Sequence, residues 1–362
     1  MRKPKFRVNQ KLSINVLPHP RQHKRCTSMD KIYKVALVGC GAIAPNHLRA
    51  LKSIPYVKVA ALCDINPEKA EKRKIEYELD CKIYTDLDEM LENEELDSIH
   101  IATPHYLHAP MTVKVLKKGI NVFLEKPMCI STDEIEELIQ VEKESSAGVC
   151  VCFQNRFNPS TALAERIANE DGGVKSAFGS VFWYRDEKYY TNSGWRGKWA
   201  TEGGGVMINQ AIHTLDLLCY FLGKPTSVTA TVANHHLKNI IEVEDSAEGI
   251  ITFESGKKAN FYTTTSFEGR DATILYLVTQ KKRRIQIQYS AVYIDGEKVE
   301  DPALDSGFVG KECYGNGHTY LIANYYDALK NGKQMPVTLE SAQNALRILL
   351  ASYKSNNKET KI

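Results

Sequence analysis

An apolar, β-branched run over residues 35–38 stops at Gly39, and Gly41 and Ala44 follow at the spacing G-x-G-x-x-A. A strand that ends this way has to turn tightly and enter a helix whose N-terminus stays open. Gly39 permits the turn, Gly41 lets backbone N–H groups approach an anion, and Ala44 keeps helix and strand close. Pro45 suits the first helical turn, where its missing N–H costs nothing. The motif alone is weak; its confirming context is an acidic residue about 20 positions on, at the end of the next strand. Residues 57–63 read as that strand and Asp64 closes it. Gly39, Gly41, Ala42, Ile43, Ala44 and Asp64 are therefore expected to hold a dinucleotide. A carboxylate there accepts from a ribose 2′-hydroxyl and repels a 2′-phosphate, so NAD is favoured over NADP.

From residue 34 to about 153, strands and helices alternate with short connections. Asn66-Pro67 is an N-cap and first-turn pair for a helix over 68–79. Gly119 closes a helix over 110–118, and Ser131 or Thr132 caps one over 133–145. Repeated βα units imply a parallel, doubly wound sheet. The second half reads differently. After a helix near 159–169 come a strand over 180–185 and a polar, aromatic-rich loop to Glu202. A long helix then follows Gly203-Gly204-Gly205 and runs to 221. Val, Ile, Thr and Tyr runs occupy 227–236, 243–254, 257–266, 272–279, 284–289 and 291–294, with Ser255-Gly256 and Asp295-Gly296 as hairpin turns. Helices over 316–330 and 339–355 end the chain. The expected fold is α/β: a Rossmann, doubly wound parallel sheet over 29–153, then an α+β domain with a large, mostly antiparallel sheet over 154–362. That second domain is expected to bind substrate and to oligomerise.

The net charge of +3 conceals a split, because residues 1–28 carry eight Lys/Arg and no acid. Without them 39 basic residues face 44 acidic ones, a net charge of −5, so the body carries no basic signature for nucleic acid or a membrane surface. The leader reads either as a transit peptide or, more simply, as a start placed ahead of a working Met29. No apolar run approaches the roughly 20 residues of a transmembrane helix. The nine cysteines are scattered and form no C-x-x-C, which suits buried, reduced thiols in a cytoplasmic protein.

Two stretches carry chemistry. In Phe123-Leu-Glu-Lys-Pro127 the lysine stands at the carboxyl end of a parallel strand, where open α/β sheets bind ligands. An amine there can hold a reacting hydroxyl, and apolar neighbours would lower its pKa. In the helix after the glycine run, Asn209 and His213 are four apart and Asp216 three further, so all three are expected to share one face. A polar stripe on an otherwise apolar helix needs a polar cleft or dedicated partners, and His213 suits proton transfer near neutrality.

These motifs together resemble the Gfo/Idh/MocA oxidoreductases, which include inositol, glucose–fructose and nucleotide-sugar dehydrogenases. The resemblance covers about 32–355. It rests on the G-x-G-x-x-A turn, Ala102-Thr-Pro-His105 with His108, Glu125-Lys-Pro127, the glycine-run helix with His213 and Asp216, and the tail from Gly317-His318 through Asp327-Ala-Leu329. It implies that Lys126 and His213 form the catalytic pair. It also implies that Thr103, His108, Glu125, Lys126, Gln154 and Arg156 hold the nicotinamide or its ribose. Trp195 and Arg196 then fall in a loop that reaches cofactor or substrate. The substrate contacts it implies are Lys126, Arg156, Trp195, Arg196, Asn209 and His213. Many polyol-oxidising members carry Asp four residues before the histidine, whereas this chain has Asn209. Asparagine cannot take a proton, so the base role shifts to His213 while Lys126 orients the hydroxyl. That asparagine resembles the nucleotide-sugar branch acting at a pyranose C3, and some members that oxidise glycosides.

The expected function is NAD-dependent hydride transfer from a secondary ring alcohol of a sugar. Inositol or polyol 2-dehydrogenation, a lyase or glycosidase with tightly bound NAD, and a non-catalytic sensor are the alternatives. Tyr189, Tyr190, Trp195 and Trp199 offer flat faces for a sugar or for a second subunit. His235 and His236 are expected on opposite faces of a strand, and no metal site is expected. Lys281-Lys-Arg-Arg284 reads as a solvated turn. The partners expected are a small carbohydrate and a second copy of the chain, as homodimer or homotetramer, through a sheet face that helices leave open.

Overall fold

The computed structural model describes residues 31–269, 271–304 and 315–362. The basic leader, Cys26 and Cys313 lie outside them. Six strands, β1 (Tyr33–Val38), β2 (Val57–Cys63), β3 (Lys82–Tyr84), β4 (Ser98–Ile101), β5 (Asn121–Leu124) and β6 (Val149–Val151), form a parallel sheet in the order β3-β2-β1-β4-β5-β6. These strands are near-continuous apolar runs because helices cover both faces, and Ala36, Leu37, Ile99, Ile101, Val122 and Phe123 have no exposed surface.

The helices start where the side chains dictate. In α1 (Ala44–Lys52) Pro45 lies in the first turn. Asn66, Asp86 and Ser131 cap α2 (Pro67–Glu76), α3 (Leu87–Asn93) and α5 (Thr132–Glu144), each accepting a first-turn N–H at 2.9–3.2 Å. The helix α4 (His108–Lys117) precedes Gly119, whose φ of +70° turns the chain back to β5. The strand order reverses between β1 and β4, and their carboxyl ends leave a crevice there. Gly39 lines that crevice at φ +94° against the Ala102 carbonyl, where no Cβ would fit.

The second sheet has nine strands: β7 (Val174–Phe182), β8 (Pro225–Ala233), β9 (Ser246–Phe253), β10 (Lys258–Thr264), β11 (Ala272–Thr279), β12 (Arg284–Gln288), β13 (Ala291–Ile294), β14 (Glu297–Lys298) and β15 (Thr360–Lys361). Its order is β14-β13-β12-β11-β7-β10-β9-β8-β15, and only the β7–β10 pair is parallel. The helices α6 (Pro159–Glu170), α8 (Ile212–Leu222) and α10 (Leu339–Ser355) pack on one face. The helix α9 (Gly317–Asn331) returns instead to the first sheet, where Tyr325 bonds Ser98 at 2.7 Å and Tyr326 bonds His100 at 2.9 Å.

Three local expectations change. The strand expected over 180–185 is β7, which begins at Val174 and ends at Phe182. His235 and His236 lie beyond the end of β8, not within it, because Asp245 accepts both of their backbone N–H groups and folds the chain into a turn. The helix after the glycine run is not regular. It opens with a π-helical turn, Met207–Ala211, and becomes α-helical only from Ile212. The changed angular spacing separates the expected polar stripe: Asn209 faces Glu202 while Asp216 faces Arg156.

Candidate active site

The crevice between β1 and β4 supplies the dinucleotide turn. Residues 39–43 link β1 to α1, and a Cβ placed on Gly41 would meet nothing within 4 Å, so this backbone borders open space. Asp64 ends β2 and accepts from the Cys40 N–H at 2.8 Å and the Asn66 N–H at 2.9 Å. The carboxylate is thereby fixed at the mouth of the turn with lone pairs left for hydroxyl donors. The open cradle and the placed acid fit the adenosine and pyrophosphate of NAD.

At the carboxyl end of β5, Glu125 is buried and Lys126 partly exposed. Glu125 ends a chain of buried rings. Its Oε1 lies 3.0 Å from His47 Nε2, His47 Nδ1 lies 2.8 Å from His100 Nδ1, and His100 Nε2 lies 2.9 Å from the Tyr326 hydroxyl. A carboxylate can only accept, which for a series of neutral imidazoles fixes every proton. His47 donates from Nε2, so its Nδ1 accepts from His100 Nδ1–H. His100 Nε2 then accepts from Tyr326. His318 Nε2 approaches the same Glu125 oxygen at 3.6 Å. Burial pushes the Glu125 carboxyl up, but bonds from His318 and His47 outweigh it and hold it well below the usual carboxylate range. Glu125 is therefore a permanent anion beside Lys126.

Lys126 Nζ donates to the Asn209 carbonyl at 2.9 Å, and this bond joins the two sheets across the cleft. Burial lowers the pKa of its ammonium, against the pull of Glu125. His213 stands close enough for the Lys126 charge to act on it. Burial, then that charge, depress the imidazole well below its ordinary value. Both ring nitrogens are buried with no hydrogen-bond partner among the described residues. A neutral imidazole with two idle nitrogens is costly unless a ligand completes it.

The glycine run seats this helix start. Gly203 and Gly204 have φ +80° and +154°, and Gly205 lies against the Glu244 carbonyl, where a side chain would collide. Glu244 accepts from Gly205 N–H at 2.9 Å, Met207 N–H at 3.0 Å and the Tyr353 hydroxyl at 3.0 Å.

The other expected site residues divide. Thr103 follows β4, and its carbonyl lies 2.9 Å from His108 Nε2. His108 Nδ1 lies 2.6 Å from the Pro127 carbonyl, so this ring braces the two walls of the cleft rather than presenting a nitrogen to it. Gln154 is buried in the turn after β6. Arg156 is turned away as well. Its Nε and Nη2 bond Asp216 at 2.8 and 2.5 Å and its Nη1 bonds Ser341 at 3.2 Å, which leaves no planar face of donors for a ligand. Trp195 packs edge-on to His105 at 4.6 Å, and the Arg196 guanidinium lies over Tyr189 and Trp195 at 4.7 and 4.8 Å. Tyr190 belongs to a satellite core with Leu237, Ile241 and Val243, so it is not a free platform for a sugar, whereas Trp199 packs edge-on to Tyr353 and stays 44% exposed. Glu125, Cys152 and His318 bring donor atoms within 4.8 Å of one another, and burial and the Glu125 charge push the Cys152 thiol well above its ordinary value.

Sequence reasoning did not single out Glu202, Glu244, His47 or His100, and it quoted His318 only as part of the tail. Glu202 alone left a local signal, an acid immediately before the glycine run.

A family model described as "Oxidoreductase family, NAD-binding Rossmann fold" (GFO_IDH_MocA) matches residues 33–153, and the corresponding C-terminal domain model matches 162–290. The chain is 28% identical to an inositol 2-dehydrogenase of Rhizobium meliloti over 89% of this chain and 96% of that one. It is 28% identical to a 2,7-anhydro-N-acetylneuraminate hydratase of Mediterraneibacter gnavus over 55% of this chain and 52% of that one. Among solved structures it superposes on the WlbA dehydrogenase of Bordetella pertussis, in complex with NADH and UDP-GlcNAcA. That match has a TM-score of 0.79 and 25% identity, covering 92% of this chain and 99% of the other. Two tandem matches, falling in order on the two sheets, show that the chain belongs to the Gfo/Idh/MocA family of NAD-binding oxidoreductases.

Proposed function

We propose that the chain oxidises a secondary ring alcohol of a sugar, with a glycoside or nucleotide sugar oxidised at pyranose C3 as the favoured substrate class. The observation that carries this reading is the buried His213 with both nitrogens idle, next to the Lys126 ammonium. NAD⁺, when bound, supplies the hydride acceptor. His213 is neutral and takes the hydroxyl proton. Lys126 gives one N–H to Asn209, and its remaining N–H groups stabilise the negative charge that develops on the alcohol oxygen. Asn209 carries no acid at the position where polyol-oxidising members have one. The UDP-GlcNAcA complex of the Bordetella pertussis relative supports a nucleotide sugar.

The test is NADH absorbance with NAD⁺ and a panel of UDP-GlcNAcA, simple glucosides, glucose and myo-inositol, run beside Lys126→Ala. Turnover of a glycoside or nucleotide sugar, reduced by about 10³-fold or more in the mutant, is the expected result. Turnover of myo-inositol alone overturns the substrate class and leaves a polyol dehydrogenase. Product formation without net NADH, as a hydratase like the Mediterraneibacter gnavus relative would give, replaces the reading with one in which NAD is recycled.

A further inference from the structure

Asn209 is an amide, and an amide can face the cleft with either its acceptor or its donors. We propose that the buried carboxylate of Glu202 makes this choice, holding the Asn209 Oδ1 toward the cleft as an acceptor for a substrate hydroxyl. Glu202 is thus a positioning residue for the site. The acceptor role toward a substrate hydroxyl rests on the proposed sugar-alcohol oxidation; the amide orientation does not.

The geometry is restrictive. Glu202 is 1% exposed, and its two oxygens divide their work. Oε2 accepts from the Gly197 N–H and Oε1 from Asn209 Nδ2, each at 2.5 Å. Both are acceptor bonds, so they require the carboxylate, and a carboxylate cannot face the carbonyl end of an amide. The second N–H of Asn209 points toward the Tyr189 hydroxyl at 3.4 Å. Both donors of the amide are directed into protein, and Oδ1 has no partner among the described residues. The same residue's backbone carbonyl accepts from Lys126 Nζ, so the backbone that carries this amide is tied to the lysine of the proposed pair.

Protonation would reverse the arrangement. A protonated Glu202 has a donor to offer, and Asn209 answers it by turning Oδ1 inward and Nδ2 toward the cleft. Burial pushes the Glu202 carboxyl up to about 7 against the Gly197 and Asn209 bonds, which favour the charged form. Arg196 also favours the charged form, and Glu244, from the segment before β9, opposes it. Lys126 beyond β5, Tyr189 and Tyr190 of α7 (Glu187–Thr191), and Tyr353 of α10 feel the Glu202 charge in turn. His105 is neutral through burial and bonds the Glu202 backbone carbonyl. The cleft thus presents an acceptor above about pH 7 and a donor below it.

Glutamine at 202 imitates the protonated state. Its carbonyl takes the Gly197 N–H, and its amide N–H then faces Asn209 and forces the reversed orientation. The experiment uses protein with ¹⁵N-labelled asparagine, with the Asn209 side-chain NH₂ signals assigned by their loss in Asn209→Asp. Titrated without substrate, the wild-type signals should move with a midpoint near pH 7, and in Glu202→Gln they should stay at the low-pH position throughout. Glu202→Asp, a shorter carboxylate, should retain the titration at a displaced midpoint, which keeps the test valid if the glutamine variant is poorly folded. An Asn209 signal that does not titrate, or that titrates equally in Glu202→Gln, overturns the proposal whatever the substrate. A kinetic arm with UDP-GlcNAcA at about pH 8 should show KM raised about tenfold in Glu202→Gln with kcat within about threefold, the loss of one hydrogen bond. If the amide titrates as described but UDP-GlcNAcA gives no turnover, the sugar reading fails and the positioning role of Glu202 stands.

Discussion

Asp64, the proposed acceptor for the cofactor ribose, is a carboxylate that is already anchored. Bonds from Cys40 and Asn66 leave it little freedom to rotate, so a ribose meets preset lone pairs. Asp64→Ala removes both the acceptor for the 2′-hydroxyl and the repulsion of a 2′-phosphate. Its KM for NAD⁺ should rise about tenfold or more, while KM for NADP⁺ falls, as initial rates with each cofactor would show. An unchanged ratio of the two would place the selection elsewhere. Asp64, Lys126 and His213 could be singled out as candidates because each stands at a fixed offset from a backbone landmark: a strand end, a proline or a glycine run. His47 and His100 were not. Each looks apolar by position, on a buried helix face and inside β4, and only the three-dimensional pairing shows that one acid 25 residues beyond His100 orders both rings. The pairing of Arg156 was hidden for the same reason, since its partner Asp216 lies 60 residues away.

At the scale of the element, the start of the π-helical turn depends on Glu244. Burial pushes this carboxyl from 4.5 up to about 7, against the N–H groups of Met207 and Gly205 and the Tyr353 hydroxyl, which favour its charge. The folded state therefore binds the proton more tightly than the unfolded one does. The stability that Glu244 contributes is greatest below about pH 4.5 and declines as pH rises to about 7. Glu244→Gln removes that titration. Thermal unfolding should show the wild type ahead of the mutant by a margin that shrinks between about pH 5 and pH 8, by up to roughly 3 kcal/mol. A margin that is constant, or widens, would show that Glu244 is charged throughout that range. The helix itself was legible from its apolar spacing, but the π-turn was not. Periodicity locates a helix without reporting one extra residue in a turn, and here that residue separates Asn209 from the Asp216 face.

At the scale of the molecule, the alternation of βα units followed by dense β-branched runs was enough to read two sheets in order. The return of α9 to the first sheet was not readable, because nothing local marks Tyr325 and Tyr326 as partners of Ser98 and His100. The outer face of the second sheet has a different logic. Phe178 lies opposite Tyr276 in the β7–β11 register, while Tyr262 and Ile250 occupy the same face on β10 and β9. All four are 36–46% exposed, and with Asn260 and Glu248 on the same face they form a mixed, aromatic-rich surface. A second copy of the chain laid sheet to sheet would cover it, and a stable pairing needs about 1,000 Å² or more. Light scattering of the full chain should therefore give a dimer or tetramer. The double change Phe178→Lys with Tyr276→Lys puts two directly opposed cations into that contact, and burying them unpaired costs several kcal/mol. The variant should run as a smaller species while its NAD⁺ affinity stays within about twofold, because β1, β4 and their crevice lie in the other sheet. A wild-type monomer, or an assembly that survives both lysines, would show that this face is not where copies of the chain meet.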